Sequence, residues 1–333
     1  MKIVEFMGPD ASVTVPIQGD GGRERVIESL TYSLARKVGR EKVDLIAQTG
    51  SYSEEFIIRP VRFTRGLDAQ QVLREARYAL SGKITCDILH VHHPAYLPAR
   101  EFVEARKIVL THHGAIDHPR NFDADGVTFV SYFLRDWMGA EQLDGNRIAV
   151  IHNPVEVSDR LPKASRQRRL GFMGTIHKPV KRVDVALDLA DRLNIPIVLA
   201  GPCDSGFLKD FVLPRLKNGS KYIGELKSEA RQDFFESVTC VVCPSDVPEA
   251  FCMVAAESMA CGTPVLASRS GGLPEVVTEG CGFLCSSLDD FVLAFNRLKE
   301  ISYLQCVESI ARRFSAAGIA QDYLDFFHKL LRE

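Results

Sequence analysis

Short β-rich runs separated by amphipathic stretches repeat along almost the whole chain. In the first half Lys2–Met7, Val43–Thr49, Asp87–His92, Ile108–His112, Thr128–Ser131 and Ile148–His152 read as strands. Between them, Glu24–Val38 and Asp68–Leu80 have helical periodicity, and Tyr132–Met138 reads as a short helix. The stretch 153–168 is polar, carries two prolines and has no period, which predicts a linker. A second set follows: strands at Leu170–Gly174, Pro196–Ala200, Lys221–Ile223, Thr239–Cys243, Pro264–Ala267 and Gly282–Cys285, with helices at Arg182–Leu193, Ser228–Ser237 and Met253–Cys261. Strand–helix alternation in both halves predicts an α/β protein of two Rossmann-like, doubly wound domains, 1–152 and 169–314. Ligands on such sheets sit beyond the carboxyl ends of the strands, so two facing domains would form one interdomain cleft. The last segment, Ser315–Leu331, gathers Tyr323, Phe326, Phe327 and Leu330 on one side and predicts a helix packed on a core.

Composition narrows the function classes. A length of 333 residues suits two domains, and 46% apolar with 25% charged residues is ordinary for a soluble protein. A net charge of -2 supplies no general field for nucleic acid or anionic lipid. No opening charged-then-apolar segment is seen, and no run approaches the roughly 18–20 apolar residues of a membrane helix. The nine cysteines include Cys240 and Cys243 at C-x-x-C spacing. In a strand that spacing points the two thiols to opposite faces, so buried, reduced cysteine and a cytoplasmic location are expected.

Four groups of residues carry candidate chemistry. Glu249 and Glu257 stand eight positions apart in the mostly apolar run 244–275, PSDVPEAFCMVAAESMACGTPVLASRSGGLPE. A carboxylate in such surroundings needs a partner, and sugar hydroxyls serve because a carboxylate accepts two at once. The plainer alternative is that both acids cap a helix or pair with an arginine. Gly19-Asp20-Gly21-Gly22 leads into a helix, where backbone N–H groups can approach an anion. Thr175, Lys178, Lys181 and Arg182 follow a strand, and cations there suit a diphosphate. Seven of the nine histidines fall between His90 and His152, yet none has a carboxylate or cysteine at recognised metal-ligand spacing. Asp123-Ala124-Asp125 matches a D-x-D metal motif only as three residues match by chance.

The Pro-Ser then E-x7-E run, the A-C-G-T-P-V strand and the G-G-x-P-E turn together resemble the signature of retaining GT-B glycosyltransferases, closest to family 4. The phrase RFSAAGIAQDYLDFF at 313–327 resembles the helix by which these enzymes cross back onto the N-terminal domain. The resemblance implies donor contacts at Gly21, Gly22, Thr175, Lys181, Arg182, Glu249, Phe251, Cys252, Met253, Val254 and Glu257. Lys181 and the amides around Phe251–Val254 would hold the diphosphate and sugar. Glu249 would orient sugar hydroxyls, Glu257 the ribose hydroxyls, and Tyr222–Leu226 would border the base. Thr111-His112-His113 matches the family's Thr-x-His, making His113 the residue near the transferred sugar, with His112 the register alternative and His90 and His92 supporting residues. Thr175 departs from the pattern, because family members carry an arginine there; Lys178 or Arg182 would have to replace it.

The implied activity is retaining transfer of a sugar from a nucleotide-diphosphate sugar, UDP-linked ahead of GDP-linked, to an acceptor hydroxyl. His113, Glu249 and Lys181 would be catalytic, with no metal and no cofactor. Nearly balanced charge over 1–152 favours a small-molecule or saccharide acceptor over a lipid, with peripheral membrane contact left open. The rival readings are another GT-B activity, such as a nucleotide-sugar epimerase, and a non-catalytic sugar-nucleotide binding protein.

Overall fold

The structure, a computed structural model, describes residues 1–8, 14–17, 21–63, 68–80, 84–114, 120–157, 160 and 166–333. The chain divides into two compact units, Met1–Pro154 with Ala316–Glu333, and Val155–Ser315.

The first unit is built on a seven-stranded sheet. Its strands are β1 (Ile3–Phe6), β2 (Val43–Gln48), β3 (Ile57–Val61), β4 (Ile84–Val91), β5 (Val103–His112), β6 (Gly126–Phe129) and β7 (Ile148–Val150), in the order β3-β2-β1-β4-β5-β6-β7. Every pairing is parallel. Helices α1 (Gly22–Val38), α2 (Ala69–Ala79) and α3 (Tyr132–Trp137) lie between the strands. β3 was not anticipated. Its sequence Ile-Ile-Arg-Pro-Val contains Pro60, which cannot donate to a ladder and is tolerated because β3 is the sheet edge. β4 and β5 also begin earlier than their apolar cores suggest, pairing from Ile84 and Val103 onward through polar residues such as Glu104.

The second unit carries a six-stranded, all-parallel sheet of β8 (Gln167–Met173), β9 (Ile197–Ala200), β10 (Lys221–Tyr222), β11 (Val238–Cys243), β12 (Val265–Ser268) and β13 (Gly282–Cys285). The order is β10-β9-β8-β11-β12-β13. β8 takes in Gln167 and Arg168, which the sequence reading placed in the linker; Val238 pairs with Gln167 and recruits it. The helices are α4 (Val183–Leu193), the single turn α5 (Ser205–Phe207), α6 (Ser228–Ser237), α7 (Met253–Ala260), α8 (Leu273–Val276), α9 (Leu288–Arg297) and α10 (Tyr303–Phe314). α9 and α10 were also not anticipated, although Ser287 and Ser302 cap them as helix-start residues should. Both sheets reverse strand order at one place, between β1 and β4 and between β8 and β11, which is where doubly wound sheets open a crevice for ligands.

The last helix, α11 (Ala316–Arg332), belongs to the first unit. Its Ile319, Tyr323, Phe326, Phe327 and Leu330 share a core with Ile27, Leu30 and Leu34 of α1 and with Ile3, Leu45, Ile88 and Val109 of the sheet. Burial of the large apolar side chains among them, at about 1.5–3 kcal/mol each, ties α11 to α1 and to the sheet.

Candidate functional site

In the second unit the candidate donor residues gather at the carboxyl ends of β8 and β11. The loop after β8 brings Lys181 to Glu249, in the loop after β11, with Nζ to Oε1 at 2.5 Å. The Ser245 hydroxyl donates to the same carboxylate oxygen at 2.7 Å. Burial opposes the Lys181 charge, but the Glu249 carboxylate outweighs it and raises the ammonium pKa. The Lys181 side chain remains 33% exposed and that of Glu249 17%, so both can still be reached. The Gly-Gly turn explains how Glu249 is held. Gly272 N–H donates to the Glu249 carbonyl at 2.7 Å, and Gly271 adopts φ +59°, where a Cβ would stand 2.3 Å from that carbonyl oxygen. No side chain fits, so the turn requires glycine.

Three residues after Glu249, Cys252 takes a left-handed conformation, φ 74°, and starts α7 without a side-chain cap. The first N–H groups of Met253 and Val254 therefore end a helix next to the Lys181–Glu249 pair, the polarity suited to an anion. Phe251 itself is buried, with its ring edge-on to Phe314 at 5.2 Å, leaving only its backbone for any ligand. Glu257, on α7, is joined to Arg231 of α6. Arg182 is bound on two sides, by Asp184 at 2.9 Å and by Asp246, and both carboxylates raise its pKa. Thr175 accepts the Lys178 N–H at its carbonyl. Where the base was expected, the Tyr222 hydroxyl donates to the Gly201 carbonyl at 2.9 Å.

The first unit holds a second cluster at its own strand-order reversal. Glu5 of β1, fully buried in the run Ile-Val-Glu-Phe, lies across from His90 of β4. His90 Nδ1 is 3.0 Å and His92 Nε2 is 2.8 Å from Glu5 Oε2. His92 Nδ1 continues to His113 Nε2 at 2.9 Å. His90 Nε2 meets the Thr111 hydroxyl at 2.6 Å, and Thr111 contacts the Thr128 and Tyr323 hydroxyls at 2.5 and 3.1 Å. Burial alone would raise the Glu5 carboxyl; the two imidazoles overcome it and bring the pKa down to about 2. Burial, assisted by His90, pushes His92 down to about 4 despite Glu5. Glu5, His90 and His92 have donor atoms within 4.8 Å of one another, a spacing that could also hold a metal ion. Hydrogen bonds already satisfy those atoms.

His112 points to the other face of the sheet, where it stacks on Phe129 at 5.3 Å and reaches the Asn121 carbonyl. It is fully buried, whereas His113 is partly exposed. Gly21 precedes α1 at φ 135° and Gly22 begins it; Gly19 and Asp20 lie outside the described residues. Asp123 pairs with Arg100, and Asp125 accepts the Ile108 N–H at 2.7 Å, so the D-x-D residues hold local structure. Sequence reasoning missed Glu5 and Arg231. The signal for Glu5 was a lone acid inside a short apolar strand.

Comparison with known proteins defines the class. The structure resembles AviGT4, a glycosyltransferase of avilamycin A biosynthesis, with a TM-score of 0.78 at 22% identity over 100% of this chain and 98% of that one. It also resembles Anabaena HepE in complex with UDP and glucose (TM-score 0.69, 16% identity, 98% and 99% covered) and a sucrose-phosphate synthase of Thermosynechococcus elongatus (0.79, 16%, 100% and 100%). These likenesses establish the α/β GT-B fold. The model "Glycosyltransferase Family 4" matches residues 20–159 and "Glycosyl transferases group 1" matches 167–300, so both units are matched and the chain belongs to this group 1, family 4 glycosyltransferase family. A D-inositol 3-phosphate glycosyltransferase of Streptomyces scabiei is 32% identical over 178 residues, 44% of this chain and 39% of that protein. One from Mycolicibacterium smegmatis is 33% identical over 156 residues, 41% and 36%. The match spans about two fifths of the length of these curated relatives. No helix among the described residues is long and apolar enough to cross a membrane, and all nine cysteines are free.

Proposed function

We propose that this chain is a retaining glycosyltransferase that moves a sugar from a nucleotide-diphosphate sugar to an acceptor hydroxyl without a metal or other cofactor. The observation that carries the reading is the Lys181–Glu249 pair beside the start of α7, at the strand-order reversal of the second sheet. An ammonium and helix N–H groups there can hold the diphosphate and stabilise it as it leaves, the main electrostatic demand of the reaction. The Glu249 carboxylate, already oriented by Ser245 and the glycine turn, can accept sugar hydroxyls. Glu257 then serves the ribose, and His113 the sugar side of the reaction. Arg182 has its guanidinium committed to Asp184 and Asp246, so Lys178 is the better substitute for the arginine that Thr175 replaces.

UDP is the first donor to test, since fold neighbours are described with UDP bound. A small-molecule or saccharide acceptor and a cytoplasmic setting, consistent with nine free cysteines, complete the proposal. The test is a panel of UDP-, GDP- and dTDP-sugars with candidate acceptors, read by mass spectrometry in the presence of a chelator. Transfer with retained anomeric configuration is expected. Binding without transfer or donor hydrolysis, whatever the acceptor, would instead support a non-catalytic sugar-nucleotide binding protein, the reading that Thr175 favours.

A further inference from the structure

The buried cluster of the first unit specifies where a proton sits. An ionised carboxylate only accepts hydrogen bonds, so the two imidazole nitrogens facing Glu5, His90 Nδ1 and His92 Nε2, both carry hydrogen. His92 is 1% exposed, and an imidazolium there would lose its hydration. A neutral His92 has its lone pair on Nδ1. The partner 2.9 Å away, His113 Nε2, must then be the donor. The other arm runs from His90 Nε2 to the Thr111 hydroxyl, which also meets the Thr128 and Tyr323 hydroxyls.

We propose that Glu5, acting through His92, is a positioning residue that holds a hydrogen on His113 Nε2 and so fixes the ring read above as serving the sugar side of the reaction. The catalytic part of this statement rests on the glycosyltransferase reading above; the proton placement does not. Alternation along β4 and β5 puts His90, His92, Thr111 and His113 on one face, above Glu5. One arm runs inward to the buried Tyr323, and the other leads outward to the partly exposed His113.

The test uses full-length protein with ¹⁵N-labelled histidine and long-range ¹H–¹⁵N correlation spectra at neutral pH, which report each ring's tautomer. The expected result is Nε2–H for both His92 and His113. His113 protonated on Nδ1, a cationic His92, or a stoichiometric transition metal on these nitrogens in purified protein would overturn the proposal. A glutamine at position 5 can offer an N–H to His92, so Glu5→Gln should remove or reverse the His113 tautomer preference. It should also lower turnover about tenfold or more while donor affinity holds. Should that variant fail to fold, the unsubstituted protein's spectrum still decides. The expected tautomers in a protein that transfers no sugar would count against the glycosyltransferase reading and leave the proton placement standing.

Discussion

Glu249 and Glu257 share one motif but are held by different means. Glu249 sits in a loop shaped by Gly271 and Gly272, with Lys181 and Ser245 on its carboxylate. Glu257 sits within α7, paired with Arg231, which is itself only 9% exposed. The arginine pairing named as the plain alternative is therefore present, and it is compatible with ligand binding because a carboxylate has acceptor sites to spare. Glu257→Ala should weaken UDP binding by about 1–3 kcal/mol through lost charge-assisted hydrogen bonds, measured by calorimetric titration. Unchanged affinity with a lowered unfolding midpoint would mean that the carboxylate serves Arg231 alone. Lys181 and the glutamates could be read from the sequence because they lie in short, ordered runs. Arg231 could not: its partner is 26 positions away and depends on how α6 packs.

At the scale of elements, the Glu5 cluster ties β1, β4, β5, β6 and α11 together through charged and polar groups. Its pH response has a definite sign. His92 is depressed from 6.5 to about 4, so below pH 6.5 the unfolded chain takes up a proton that the folded one refuses, and stability falls until about pH 4. Glu5 is depressed from 4.5 to about 2, so its contribution is complete above pH 4.5 and is lost as pH falls toward 2. The losses have the same direction. The melting temperature of the first unit should decline steadily from pH 6.5 downward, and His92→Gln should flatten the part between pH 6.5 and 4; an unaltered slope would remove His92 as its source. The helices and strands were largely legible from periodicity. β3 was not, because an edge strand with a proline lacks a strand's usual composition. Nor was the cluster, since no local spacing links Glu5 to residues 85 and 87 positions later.

At the scale of the whole molecule, one unit is a continuous stretch of chain and the other is not. Val155 and Ser315 bound the second unit and are bridged side by side, with the Val155 N–H donating to the Phe314 carbonyl at 2.8 Å. Its ends are thus pinned together, and Lys181, Glu249, Glu257 and the start of α7 all lie within it. The isolated Val155–Ser315 fragment should fold and bind UDP within about tenfold of the full chain's affinity, a margin of about 1.4 kcal/mol. A folded fragment with no measurable UDP binding would place essential nucleotide contacts elsewhere in the chain. Two doubly wound units could be read from the alternating pattern.

The position of α11 imposes an order on synthesis. The faces of α1 that it covers, Ile27, Leu30 and Leu34 among them, are made before Val155–Ser315, and their cover is made after it. Between the two the ribosome must complete Val155–Ser315, which at about 5–20 residues per second takes on the order of ten seconds or more. Throughout that interval the earlier unit is an unfinished core with an apolar seam in water, a natural target for a holding chaperone. The later-made unit is free to fold first, so the order of maturation runs opposite to the order of translation.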